Sequence, residues 1–291
     1  MRKDFSQADF DSLVPQQSFD RRAFLVSAAA SGIALAAQPV AAQTMIVTPM
    51  DGLEGGDIEV QSFDRKIPAY VAMPEAAGRH PVVLVCQEIF GVHEHIKDLC
   101  RRLAKAGYFA IAPELYVRQG DPRKIGDIGS LMKDIVANVP DEQVMKDFDA
   151  CVAYAEGHAK ANANKLAITG FCYGGRVVWL YCAHSKKVKA GVAWYGRLVG
   201  ESTALTPKYP LDIAAQLNCQ VLGLYGGADQ GIPLETVERM RAALKTAGKN
   251  SQIHVYDGAP HAFNADYRPS YRKQAAEDGW RRMLAWFGKN L

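Results

Sequence analysis

Gly170-Phe171-Cys172-Tyr173-Gly174-Gly175 constrains this chain more than any other stretch. It follows Lys165 to Thr169, which reads as a short strand, and leads into Gly174 to Cys182, which reads as a buried helix. A strand that turns sharply into a helix leaves little room for side chains, and glycines stand two positions before and two after Cys172. The thiol is thereby displayed at a helix N-terminus, where unpaired N–H groups favour a thiolate. The same string would also suit a buried structural cysteine whose glycines serve close helix packing. The surrounding pattern decides between the two.

That pattern alternates. Ile67 to Met73 reads as an early strand, and Val82-Val83-Leu84-Val85-Cys86, entered through His80-Pro81, is a continuous apolar run suited to a central parallel strand. His95 to Lys105 has helical spacing and ends at Gly107, and Tyr108 to Ala112 is a strand stopped by Pro113. Val144 to His158 is a helix, Val188 to Trp194 and Cys219 to Tyr225 are strands, and Leu234 to Thr246 is amphipathic. Gln252 to Tyr256 is a last strand and Tyr271 to Phe287 a closing helix. The alternation predicts an α/β-hydrolase fold, with a mostly parallel central sheet and helices on both faces. Gly120 to Pro140 and Arg197 to Leu217 are least regular and are expected to wall the pocket.

The first 42 residues differ from the rest. Asp20-Arg21-Arg22-Ala23-Phe24-Leu25 precedes an alanine-rich apolar run, Val26 to Ala37, and the small residues of Pro39-Val40-Ala41-Ala42. This predicts a cleaved signal peptide at 1–42, with paired arginines like those of the twin-arginine export signal, and a single domain at 43–291 in the periplasm. The apolar run is short for a membrane span, so no stable membrane anchor is expected. The net charge of +3 and the lack of an aromatic-laced basic stripe speak against nucleic acid. All six cysteines fall within 43–291, where one disulfide is possible without an obvious pair.

Two partners for Cys172 follow in the chain order nucleophile, acid, histidine. Gly226-Gly227-Ala228-Asp229 comes after the strand ending at Tyr225, which places Asp229 at a strand's C-terminal edge. His261 comes after the strand ending at Tyr256 and is a candidate base, its tautomer held by Asp229. A turn aspartate near Pro233 and a structural loop histidine are the plainer alternatives. His93, His95, His158, His184 and His254 fit less well and form no convincing ligand set, so no metal is expected. A Rossmann fingerprint and a P-loop are both missing, and no cofactor is expected.

With these blocks in place, the chain resembles the dienelactone hydrolase (carboxymethylenebutenolidase) family across roughly residues 55 to 291. The resemblance rests on Gln87-Glu88-Ile89-Phe90-Gly91, Ala112-Pro113-Glu114-Leu115-Tyr116 with Arg118, the Gly-x-Cys-x-Gly elbow, Gly227-Ala228-Asp229 and His261-Ala262-Phe263. It implies hydrolysis of lactones or esters by a Cys-His-Asp triad without metal or organic cofactor. It further implies that Glu88 helps control the nucleophile's protonation, that Arg118 grips a substrate carboxylate, and that the N–H groups of Ile89 and Tyr173 form the oxyanion hole. A buried ion pair between Glu88 and Arg118, or a solvated Arg118, is the structural alternative. The family's second carboxylate-binding arginine, four residues after the histidine, is replaced by Ala265, with Arg268 three positions further on.

The expected activity is therefore hydrolysis of a small-molecule lactone or ester through a thioester on Cys172, after passage through the twin-arginine export machinery. A broad carboxylesterase or thioesterase and a catalytically silent periplasmic binding protein are the rivals. A thiol redox role fits worse, because no Cys-x-x-Cys pair is present.

Overall fold

The structure is a computed structural model that describes residues 45–291, so the expected signal peptide at 1–42 lies outside the described residues. The chain forms an eight-stranded sheet in the order β1-β2-β4-β3-β5-β6-β7-β8. Its strands are β1 (Leu53–Gln61), β2 (Lys66–Pro74), β3 (His80–Cys86), β4 (Phe109–Pro113), β5 (Ala161–Phe171), β6 (Ala190–Trp194), β7 (Gln220–Gly226) and β8 (Gln252–Tyr256). β1 and β2 run antiparallel to their neighbours, and all pairs from β4 to β8 are parallel. Parallel neighbours need crossover helices, which is why the central strands are covered on both faces. Val82 to Cys86 of β3 are fully buried in consequence.

The helices are α1 (Glu94–Lys105), α2 (Ile128–Asp134), α3 (Asp141–Gly157), α4 (Tyr173–His184) and α5 (Leu234–Thr246), which lie between strands, and α6 (Lys273–Asn290), which follows the last one. In α1, Ile96, Leu99, Cys100, Leu103 and Ala104 are buried, the spacing of one helical face against a sheet. Among the described residues no helix is long and apolar enough to cross a membrane. All six cysteines are free thiols in this structure.

β1 and α2 were absent from the sequence expectations. β1 carries Gly55-Gly56 and three acidic residues, Glu54, Asp57 and Glu59, and is largely exposed. That is the composition of an edge strand that resists pairing with other chains, not of a core strand. α2 interrupts the segment 120–140 that the sequence left irregular, and a helix this short leaves little periodic signal.

Candidate active site

The candidate residues all lie just beyond the C-terminal ends of parallel strands. β3 has β4 on one side and β5 on the other, so the chain order reverses there. Such a switch point leaves a crevice between strand ends. Glu88 and Ile89 follow β3, and Cys172 follows β5 across that crevice.

The turn carrying Cys172 is strained. Cys172 has φ 56° and ψ −112°, a conformation costly for a residue with a side chain. It is held by hydrogen bonds from its N–H to the Trp194 carbonyl at 3.0 Å and from the Gly175 N–H to its own carbonyl at 3.0 Å. A Cβ on Gly170 would sit 2.4 Å from the Gly174 carbonyl oxygen, and one on Gly174 would sit 2.5 Å from the Cys86 carbonyl oxygen. Only glycine lets the three backbones close this tightly. Cys172 itself is 7% exposed. Tyr173 opens α4, so its N–H belongs to the first turn, whose donors have no partner within the helix.

Asp229 and His261 meet. His261 Nδ1 lies 2.7 Å from Asp229 Oδ2. Asp229 Oδ1 accepts from the N–H groups of Gly231 at 3.0 Å and Ile232 at 3.1 Å. The aspartate therefore both shapes its turn and orients the histidine, one oxygen for each. With Nδ1 engaged, Nε2 remains free to face Cys172, whose charge acts on the imidazole. Burial alone would lower the basicity of the imidazole, but the charges of Asp229 and Cys172 raise it well above the usual histidine range.

Glu88 is surrounded by donors. Tyr267 Oη donates to Glu88 Oε2 at 2.5 Å, and His93 Nε2 stands 3.6 Å from the same oxygen. Burial opposes ionisation of Glu88, yet the nearby His93 and the positive charge of Arg268 hold its carboxyl well below the usual carboxylate range. Arg268 is 5% exposed and lies over the rings of Phe90, 4.7 Å from the centroid, and Tyr267, 5.2 Å away. Its Nε is buried without a hydrogen-bond partner among the described residues.

The turn bearing Ile89 is tied to the end of β4. Glu88 pairs with Gly91 across it. The half-buried Glu114 carboxylate accepts from Val92 N–H at 2.9 Å through Oε2 and from Tyr116 N–H at 3.3 Å through Oε1. Tyr116 Oη donates to the Glu88 carbonyl at 3.4 Å. That carbonyl shares a peptide plane with the Ile89 N–H, and in a trans peptide the two point in opposite directions.

Arg118 is engaged elsewhere. Its Nε donates to Asp64, at 3.0 Å to the nearer oxygen, Nη1 to Asp147 at 2.8 Å, and Nη2 to both carboxylates at 2.6 and 2.9 Å. The alternative ion pair with Glu88 is not formed, and the donors expected to grip a substrate carboxylate face Asp64 and Asp147. The cause is Asp64, in the turn between β1 and β2, which closes over the guanidinium from a strand the sequence did not reveal. The arginine beside Glu88 is Arg268.

Three residues here went unassigned in the sequence: Glu114, His93 and Tyr267. His93 was set aside for want of a ligand set. Tyr267 and Arg268 sit in the loop after His261, whose polar text directly follows a strand-end histidine and was the available signal. Among the described residues no group of three or more His, Cys, Asp or Glu side chains is placed to hold a metal ion.

A model of the "Dienelactone hydrolase family" matches residues 67–291. A Methylorubrum extorquens protein named "Putative carboxymethylenebutenolidase" is 58% identical over 280 residues, covering 96% of each chain. A Salmonella typhimurium protein of the same name is 54% identical over 260 residues, covering 89% of this chain and 96% of its own. The crystal structure titled "Putative Dienelactone Hydrolase" from Klebsiella pneumoniae is 55% identical, with a TM-score of 0.80 over 81% of this chain and 99% of that one.

Proposed function

Because the chain belongs to the dienelactone hydrolase family, we propose that it hydrolyses lactone or ester bonds through Cys172, His261 and Asp229. The observation that carries this is the imidazole of His261, set between Asp229 at 2.7 Å and a cysteine on a strained strand-to-helix turn. His261, raised in basicity by both neighbours, takes the thiol proton and leaves a thiolate paired with imidazolium. The thiolate attacks the substrate carbonyl, and the N–H groups of Ile89 and Tyr173 receive the developing oxyanion. Collapse expels the alcohol or enol and leaves a thioester on Cys172. His261 then takes a proton from water, whose attack releases the acid and the thiol.

Glu88 tunes the charge around the nucleophile, with its own charge fixed by Tyr267, His93 and Arg268. Arg268, not Arg118, is the cation placed to meet an acidic group on the substrate, since the donors of Arg118 already face two carboxylates. We also place the mature chain in the periplasm, on the strength of Arg21-Arg22 and the apolar run after it. Cell fractionation of the Arg21→Lys/Arg22→Lys variant tests this, with retention in the cytoplasm as the expected result.

The activity test is hydrolysis of p-nitrophenyl hemiglutarate and p-nitrophenyl butyrate by the wild type and by Cys172→Ala. Loss of turnover in the variant, with preference for the charged ester, is expected. Equal or better turnover of the neutral ester would favour a broad carboxylesterase and remove Arg268 from the substrate site.

A further inference from the structure

Among the described residues, three that are not glycine have positive φ: Cys172, Ala262 and Tyr195. The first is the nucleophile and the second directly follows His261, so both strains belong to the site already described. Tyr195, with φ 38°, directly follows strand β6, lies between the other two in sequence and has no role in the steps above. A bulky aromatic residue rarely adopts this conformation, and such strain concentrates where it sets a functional geometry.

The Tyr195 side chain adds a second, independent observation. It is completely buried, and its hydroxyl has no hydrogen-bond partner among the described residues. An unpaired buried hydroxyl is costly, so native interiors seldom keep one without use. Its ring packs edge-on against His261, with centroids 5.1 Å apart, and against Phe263 at 5.2 Å. Glu88, Tyr267, Cys172 and Arg268 are all near enough to act electrostatically on the phenol, which places it beside the reaction centre. Burial raises its pKa well above the usual tyrosine value. It is therefore a donor and not a base.

We propose that Tyr195 is a further catalytic residue, whose hydroxyl donates a hydrogen bond to the leaving-group oxygen of the scissile ester or lactone. The inference rests on Cys172 and His261 acting as described above. The carbonyl oxygen is taken by the N–H groups of Ile89 and Tyr173, so the substrate oxygen left on the His261 side is that of the alcohol or enol. When the tetrahedral centre collapses, the C–O bond breaks and its electron pair passes to this oxygen. The imidazolium supplies the proton, and the phenol steadies the developing charge while keeping its own proton.

The test is Tyr195→Phe, which removes only the oxygen, assayed on ethyl butyrate and p-nitrophenyl butyrate. Both esters share an acyl group, but nitrophenolate departs without help and ethoxide does not. The inference expects kcat/KM for the ethyl ester to fall about tenfold and for the nitrophenyl ester less than about twofold. The rate of Cys172 alkylation by iodoacetamide should stay unchanged, since that reaction has no leaving alkoxide. The melting temperature should hold or rise, because an unsatisfied buried hydroxyl is gone.

An unchanged ethyl ester rate, or equal loss on both esters, would overturn the assignment. So would a drop in melting temperature accompanied by slower alkylation, the signature of a purely structural tyrosine. Failure of the triad itself would show differently, as hydrolysis of both esters surviving in Cys172→Ala.

Discussion

Arg118 and Arg268 are both withdrawn from solvent, and their surroundings are opposite. Arg118 lies between Asp64 and Asp147, with every guanidinium nitrogen donating to a carboxylate, while Ser62 Oγ holds Asp147 from its other side at 2.5 Å. Arg268 lies between two aromatic rings, has an unpartnered Nε, and feels Glu88 only through the field of its charge. A guanidinium whose donors are all satisfied has nothing left to offer a ligand. One left short of acceptors beside a nucleophile does, and the cost of leaving it so is borne by the rest of the fold. On the proposed function, the pair separates charge used to close the β1–β2 edge onto α3 from charge kept for chemistry.

Removing Arg118 should give the largest stability change. Arg118→Ala leaves the fully buried Asp147 without its cation, a loss of roughly 3 kcal/mol in urea unfolding, while kcat/KM on neutral esters stays near the wild-type value. A large fall in activity with little change in stability would reverse the contrast. Arg268→Met should do the opposite. A charge-assisted hydrogen bond lost from the substrate lowers kcat/KM for p-nitrophenyl hemiglutarate on the order of 50-fold, with a much smaller loss on the butyrate ester.

A smaller effect is expected at Glu114. Glu114→Gln keeps one oxygen for a backbone N–H but turns an amide NH2 toward the other, which loosens the turn holding the Ile89 donor. Steady-state kinetics should show kcat down about tenfold with KM unchanged. The smallest effect concerns pH. The Glu88 carboxyl is held below its ordinary value of 4.5 in the folded chain, so its ionised form stabilises the fold above about pH 4.5 and loses that contribution as pH falls further. The stability gap between wild type and Glu88→Gln should therefore be full at pH 6 and shrink steadily below pH 4.5. A gap that grows on acidification would mean that Glu88 is not stabilised as an anion.

What the sequence revealed and what it hid divide along physical lines. β3, β5, β7 and the turn at Cys172 were legible because a parallel strand covered on both faces is a continuous apolar run, and a tight elbow needs glycines at fixed offsets. Asp229 and His261 were legible because strand-end residues in this topology converge without further information. The partners of Glu88 and Arg118 were not. Tyr267 stands 179 positions from Glu88, and Asp64 stands 54 from Arg118 in the turn of a strand whose glycines and charges concealed it. Pairings across such distances depend on how loops pack, which no local pattern encodes. Tyr195 was hidden for another reason, since nothing in a tyrosine after an apolar strand announces positive φ or an unpartnered hydroxyl.

Covalent acylation of Cys172 most directly tests the central claim. The wild type would be mixed with p-nitrophenyl butyrate, quenched in acid within milliseconds, and its intact and peptide masses read. The account expects one butyryl group, labile to hydroxylamine, on the peptide containing Cys172, and none in Cys172→Ala. An acyl group on another residue, or turnover persisting in Cys172→Ala, would contradict it.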